Sequence, residues 1–318
     1  MRFACVMMQK NETILLDPWI RYHADLVGHE NLFIFDNGST SRSVVRTLKQ
    51  AQRSGVHVFW EYGSPRHHRE RGPLIVDLIQ RLDREDSFDF YFLLDCDEFL
   101  ACQTDAGSSC RRQDLEGALQ PFLGSDDVLT IQHKYWHNPC RKDFYALTTS
   151  SPKCFFAYAA CGYLDHGYHQ GRSRLGDRKT STAIVYFEFH YKPYRPHRIS
   201  SKQHLSGILQ DFSRRSLLAY REKQGFCFHC AVDLLMGKYD YVHSFLTLEG
   251  LVEIPAMLLM FDRLGISYGA LFEPMPPIPM ALYLPLLRIR QGFMHRWDVV
   301  IDVLRRGLWS LRRLARGD

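Results

Sequence analysis

Apolar and polar positions alternate between two periods along the first hundred residues. Residues 3–9 form a short, nearly unbroken apolar run, the pattern of a strand buried on both faces. Across residues 12–27, Ile14, Leu15, Trp19, Tyr22 and Leu26 recur at helical spacing, with Pro18 marking a break or a new first turn. Residues 31–37 predict a second strand, closed by the turn Asp36-Asn37-Gly38-Ser39. A helix is predicted over 41–54, with Val44, Val45 and Leu48 on one face, and a third strand over 56–62. Leu74, Ile75, Leu78, Ile79 and Leu82 predict a third helix, and the apolar run 90–94 a fourth strand. Such alternation predicts an α/β fold with a mainly parallel sheet covered by helices on both faces. Ligands of such sheets bind beyond the carboxyl ends of the strands. The polar groups at those ends are Asn11 and Glu12, Asp36 and Asn37, and Asp95 with Asp97.

The second half is less regular. Residues 127–136 and 153–158 predict strands, and 183–190 a clearer one. Residues 162–178, rich in Gly, His and Arg, read as a loop over the site. Helices are predicted over 202–224 and 240–264, and Met275-Pro276-Pro277-Ile278-Pro279 as a breaker or linker. Beyond it, residues 284–315 mix apolar residues and arginines at helical spacing.

The fourth strand runs into three carboxylates within four positions, Asp95-Cys96-Asp97-Glu98. Crowded acids at a strand end rise in pKa unless a cation holds them ionised. Two acids one residue apart both turn toward a divalent ion once the backbone leaves strand geometry, and hard oxygen ligands suit Mn2+ or Mg2+. The plain alternative is a strand terminus ending in solvated acids. No G-x-G-x-x-G follows the first strand and no Walker A motif is present, which removes the dinucleotide and P-loop readings. A haloacid-type phosphatase carries its D-x-D after the first strand, not the fourth.

Composition adds limits. The 318 residues are 46% hydrophobic and 24% charged, ordinary for a globular chain. The net charge is +5, and residues 285–318 alone hold eight Arg against three Asp, so the rest is near neutral. That balance argues against a nucleic-acid-binding core. Nine cysteines at irregular spacing and the absence of a secretory signal predict reduced thiols in the cytoplasm. Cys227-Phe228-His229-Cys230 has C-x-x-C spacing, but no second pair follows at zinc-finger distance. No run of apolar residues is long enough for a transmembrane helix. The basic segment 286–316, with Trp297 and Trp309, predicts an interfacial helix on an anionic membrane, or a helix packed on the domain.

Taken together, the motifs resemble the glycosyltransferase family 2-like proteins of the GT-A type. The "K-N-E … W-x-x-Y-H … G … D-N-x-S-T-D" pattern is matched by Lys10-Asn11-Glu12, Trp19 to His23, Gly28 and Asp36 to Thr40, with Ser41 in place of the last acid. "D-x-D-E-F" is matched by Asp95 to Phe99. A later "G-x-H" and "H-Y … R … K … G" are matched by Gly167-Tyr168-His169, His190-Tyr191, Arg195, Lys202 and Gly207. The resemblance covers residues 1–210 and implies a GT-A catalytic domain there. Residues 211–274 are expected as a helical extension, and 275–318 as a Pro-rich linker with a basic amphipathic tail.

The resemblance implies transfer of a sugar from a nucleotide-diphosphate sugar, a UDP-sugar first, to a saccharide or lipid-linked acceptor. Asp97 is expected as direct metal ligand, with Asp95 on the metal or the ribose, and His190 as third ligand with His169 as its alternative. Asn11, Glu12, Asp36 and Asn37 are expected around the nucleotide, and Arg195 and Lys202 near the diphosphate. An inverting enzyme needs a carboxylate base. Asp165 in the predicted loop is preferred over Glu188, which alternates with Phe187 and Phe189, and over Glu98. A nucleotidyltransferase lacks its early Gly-rich loop here, and a non-catalytic GT-A domain would not need the D-x-D. The expected location is cytoplasmic, peripheral on the inner membrane face if the tail binds lipid.

Overall fold

The computed structural model describes residues 1–85, 88–224, 227–275 and 282–289. The chain forms two compact units. The first comprises residues 1–138, 142–191 and 250–272, and the second comprises 139–141, 192–249 and the chain from 273 onward. The chain leaves the first unit after Tyr191 and returns to it between Gly250 and Phe272.

The first unit opens with β1 (Phe3–Gln9), α1 (Leu16–Val27), β2 (Leu32–Asp36), α2 (Arg42–Arg53), β3 (His57–Phe59), α3 (Pro65–Arg69), α4 (Arg71–Glu85) and β4 (Phe90–Leu93). The four strands run parallel in the order β3-β2-β1-β4. Side chains of a strand alternate between faces. Phe3, Cys5 and Met7 therefore join the buried cluster of Trp19, Tyr22, Val44 and Leu48, while Ala4, Val6 and Met8 join that of Ile75, Ile79 and Leu82. Helices α1 and α2 cover one face and α4 the other. Pro18 sits in the first turn of α1, where a missing N–H leaves no intrahelical bond unmade.

The chain then crosses to a second sheet. The following elements are β5 (Glu98–Thr104), β6 (Gly107–Ser109), α5 (Arg112–Leu119), β7 (Val128–Ile131), β8 (His133–His137), β9 (Phe144–Thr148), β10 (Lys153–Ala157), β11 (Cys161–Leu164), β12 (Gly171–Ser173), β13 (Lys179–Ser181) and β14 (Ile184–Glu188). Strands β7, β10 and β13 extend the first sheet to seven strands in the order β13-β7-β10-β4-β1-β2-β3, with β10 antiparallel to both its neighbours. The second sheet has the order β15-β9-β8-β14-β5-β6, where β15 is Leu251–Glu253. The single strand expected over 127–136 is two, parted at Gln132 between the sheets, and the loop expected over 162–178 contains the β11–β12 hairpin. The result is a mixed α/β architecture.

The second unit is helical: α6 (Tyr194–Leu205), α7 (Arg214–Glu222), α8 (Phe228–Leu235) and α9 (Lys238–Leu246). The helix expected over 202–224 is broken, because α6 ends before Gly207 and α7 restarts at Ser213, whose hydroxyl accepts from the Ser216 N–H at 3.3 Å. The helix expected over 240–264 is also broken. Gly250, with a left-handed φ of 69°, turns the chain into β15, and Pro255 opens the separate helix Ala256–Arg263. Leu205, Leu217, Cys230, Ala231 and Leu234 form one apolar core of this unit, and Tyr241, Val242 and Leu287 a smaller one. Residues 282–289 are helical; the rest of the basic tail lies outside the described residues. Among the described residues no helix is long and apolar enough to cross a membrane.

Candidate functional site

The D-x-D occupies the turn by which the chain passes from the first sheet to the second, closed by the Glu98 N–H on the Asp95 carbonyl at 3.0 Å. Register decides what meets it. Phe156 pairs with Tyr91 in the antiparallel β10–β4 ladder, which brings Lys153 level with Leu94. Lys153, 2% exposed, donates to Asp95 Oδ2 at 2.6 Å and to Glu98 Oε2 at 2.5 Å. The Asp95 N–H reaches the same Glu98 oxygen at 2.8 Å. Burial pushes the Asp95 carboxyl up, but the Lys153 ammonium and the Arg71 guanidinium outweigh it and hold it below its ordinary range. Burial raises Glu98 against the pull of Lys153; Asp95, Glu188 and Asp97 add to the rise, placing it at about 8. Burial alone would lower Lys153; its two acids reverse that and keep it a cation.

Asp97 faces the other way. Its carboxylate, one from Glu188 and an imidazole nitrogen of His190 all lie within 4.8 Å of one another, the one such group of three among the described residues. Asp97 Oδ2 is 3.7 Å from His190 Nδ1. The second sheet builds this group: Glu188 pairs with Glu98 across β14–β5 and with Trp136 across β14–β8. The Phe189 N–H on the Asp97 carbonyl at 2.7 Å carries the β5 ladder one step further. Alternation sends Phe187 and Phe189 into the core and leaves Glu188 and His190 on the opposite side. Glu188 Oε2 accepts from Trp136 Nε1 at 2.6 Å and from Lys134 Nζ at 3.2 Å, with Lys134 also 4.9 Å above the Trp136 ring. One oxygen of Glu188 is thereby fixed by neutral and cationic donors.

A third group comes from α4 and the β11–β12 hairpin. Gly72 touches hairpin backbone so closely that a Cβ there would lie 2.4 Å from the Leu164 carbonyl oxygen. The preceding Arg71 thus lies over the Tyr168 ring at 5.2 Å, and Lys153 lies 5.1 Å from the same ring. Tyr168 is fully buried in a left-handed conformation, φ 63°, at the tip of the hairpin. Two buried polar atoms here have no hydrogen-bond partner among the described residues: Arg71 Nε and the Tyr168 hydroxyl.

At the neighbouring strand ends, the expected nucleotide contacts fasten loops to one another. Asp36 is buried and accepts from Gln9 Nε2 at 2.5 Å and the Ser39 N–H at 2.9 Å. Asn37 Nδ2 donates to the Tyr62 and Ser64 carbonyls, and Asn11 Oδ1 accepts the N–H groups of Thr40 and Ser41. Glu12 Oε1 accepts from the N–H groups of Ile14 and Leu15 ahead of α1. These side chains shape the rim at the ends of β1, β2 and β3.

The structure therefore brings Asp97, Glu188 and His190 together and leaves Asp95 outside that group, bound to Lys153. His169 is not among the three; its Nδ1 is 3.2 Å from the Pro152 carbonyl. Asp165 is bound into the hairpin turn by the Gln170 N–H at 2.9 Å. Arg195 and Lys202 are exposed residues of α6, in the second unit. Sequence reasoning missed Lys153, Arg71, Lys134 and Trp136. Lys153 had a signal: a lysine heading the apolar run Cys154 to Ala157 is buried and must find an acid.

No protein-family model and no curated protein matches the chain. Among solved structures, S. aureus TarS aligns at 15% identity and a TM-score of 0.36 over 66% of this chain and 41% of its own. The 1-349 form of TarS in complex with UDP-GlcNAc aligns at 11% identity and a TM-score of 0.35, over 77% of this chain and 72% of its own. Glucosyl-3-phosphoglycerate synthase from Mycobacterium tuberculosis, in complex with Mg2+ and uridine-diphosphate, aligns at 19% identity and a TM-score of 0.23 over 43% of each chain. The chain thus spans less than half the length of full TarS and of the synthase.

Proposed function

We propose that the chain is a metal-dependent glycosyltransferase of the GT-A type, taking a nucleotide-diphosphate sugar as donor and a saccharide or lipid-linked glycan as acceptor. The observation that supports it most is the Asp97–Glu188–His190 group beside the Lys153-bound Asp95, at the carboxyl ends of β4 and β14. Two carboxylates and an imidazole are a donor set for Mn2+ or Mg2+, with Mn2+ favoured by the nitrogen. When bound, the ion would neutralise charge developing on the departing diphosphate.

The chain's own groups account for the rest. Lys134 and Trp136 fix one oxygen of Glu188, which supports a place for this residue in the metal group over a role as base. Lys153 keeps Asp95 ionised beside it, available to a ribose hydroxyl. Arg71, with an unpartnered Nε, offers a charge-assisted hydrogen bond to a phosphate oxygen, and the Tyr168 hydroxyl a second contact. Asp165, held in the hairpin turn beside them, is the proposed base.

Release of nucleotide diphosphate from a panel of nucleotide sugars, with Mn2+ or with EDTA, tests this reading. Metal-dependent release is expected, with a loss of about a hundredfold or more in Asp97→Asn. Undiminished release in that variant would remove the metal assignment, and no release from any donor would favour a binding domain without catalysis.

A further inference from the structure

The C-x-x-C of the second unit stands apart from this chemistry. Cys227 is the residue before α8, with φ 58° and ψ 33°, and Cys230 lies in its first turn. The Cys230 N–H donates to the Cys227 carbonyl at 3.0 Å, closing the turn that stacks the two side chains. The two thiols are hydrogen-bonded to each other. His204 Nδ1, from α6 in the same unit, lies 4.0 Å from Cys230 Sγ. Cys230 is buried, whereas Cys227 is half-buried. The other neighbouring cysteines, Cys102 with Cys110 and Cys154 with Cys161, are buried in both members. Of these pairs, this one has a member that a reagent in solution reaches.

We propose that Cys227 and Cys230 are a reversible dithiol–disulfide site that exchanges with low-molecular-weight disulfides of the oxidised-glutathione class. The turn closed by the Cys230 N–H on the Cys227 carbonyl at 3.0 Å brings the two residues within the spacing a disulfide spans. Cys227, the accessible member, attacks as thiolate; the S–S bond of the small disulfide breaks, one thiol leaves, and a mixed disulfide forms. Cys230 gives its proton to His204 and attacks the Cys227 sulfur. The Cys227–Cys230 bond forms, and the second small thiol leaves with a proton. Two protein thiols are oxidised and one small disulfide is reduced to two thiols. The hydrogen bond to Cys227, together with burial, raises the Cys230 thiol, so Cys230 remains protonated while its partner reacts, which sets the order of attack.

The site is independent of the glycosyltransferase reading, and its test needs no substrate. The full chain is equilibrated in buffers of reduced and oxidised glutathione, quenched with acid, alkylated and mapped by mass spectrometry. Cys227 and Cys230 should lose alkylation together as the buffer becomes oxidising, with their peptide lighter by two hydrogens, while half-buried Cys140 does not pair. In Cys230→Ser, Cys227 should accumulate as the glutathione adduct. Full alkylation of both residues at every ratio would overturn the proposal, and so would a stable glutathione adduct on Cys227 of the unaltered chain. The map of the unaltered chain decides even if the variant fails to fold.

Discussion

Replacing Lys153 by Met removes the cation that bridges Asp95 and Glu98 and keeps a side chain of similar volume. Breaking a buried ion pair from one side costs about 3–5 kcal/mol, because the remaining charge is left without compensation. The two acids are not equally placed. Glu98 is 4% exposed at the side chain and loses the 2.5 Å contact in a dry setting, whereas Asp95 is 36% exposed and is screened by water once released. The lower end, about 3 kcal/mol, is therefore expected for Lys153→Met. Urea unfolding at about pH 9, above the value of about 8 at which Glu98 ionises in the unaltered chain, followed by tryptophan fluorescence, measures it. Adding Glu98→Gln to Lys153→Met should restore about 1–2 kcal/mol, since a neutral amide in that position leaves no buried charge unpaired. A single-variant loss below about 1 kcal/mol, with no recovery in the double variant, would refute the ion-pair account of this turn.

Two further outcomes follow from buried groups elsewhere in the first unit. His23 and His137 are both buried, and burial lowers each to about 3 from an ordinary 6.5. Below pH 6.5 the unfolded chain takes up protons that the folded chain refuses until about pH 3. Stability should thus fall on acidification through that window, by about 1.4 kcal/mol per pH unit for each histidine. Urea midpoints measured from pH 7 to pH 4 check this, and a slope unchanged by His23→Asn would contradict it. Gly72→Ala places a methyl 2.4 Å from the Leu164 carbonyl and 2.7 Å from that of Asp165, backbone atoms that cannot rotate away. A net loss of about 1–3 kcal/mol is expected by calorimetry; a gain, as helix propensity alone would give, would show that the hairpin yields freely.

The parallel half of the first sheet was legible because β1, β2 and β4 are apolar on both faces and their helices show a clear periodic stripe. Trp19, Tyr22 and His23 were legible as a motif, and the structure supplies their physical reason. The Tyr22 hydroxyl donates to the Leu100 carbonyl at 2.6 Å, and the Leu100 N–H donates to His23 Nε2 at 3.3 Å, so α1 pins β5 two residues beyond Glu98. What the pattern could not show was the second sheet. Its strands β8 and β14 lie far apart in sequence yet pair in parallel, and nothing local announces that Trp136 will meet Glu188. Asp95 and Asp97 looked alike as strand-end acids; only the long-range register of β10 separates them, giving one to Lys153 and leaving the other to Glu188 and His190. Helix breaks at Gly207 and Gly250 were in the sequence but were outweighed by the apolar content around them.

Strand β14 carries a consequence of its own. It is paired on both sides, antiparallel to β5 and parallel to β8, and with the two residues that follow it alternates Phe187 and Phe189 with Glu188 and His190. A slip of one residue would exchange these sets, turning two acid–base side chains into the core and two phenyl rings out of it. Correct threading of the sheet and assembly of the Asp97–Glu188–His190 group are therefore the same event. An ion held by those three residues would act as a proofreader of the sheet: it would find all three ligands only in the right register, and by mass action would deepen that register against every other.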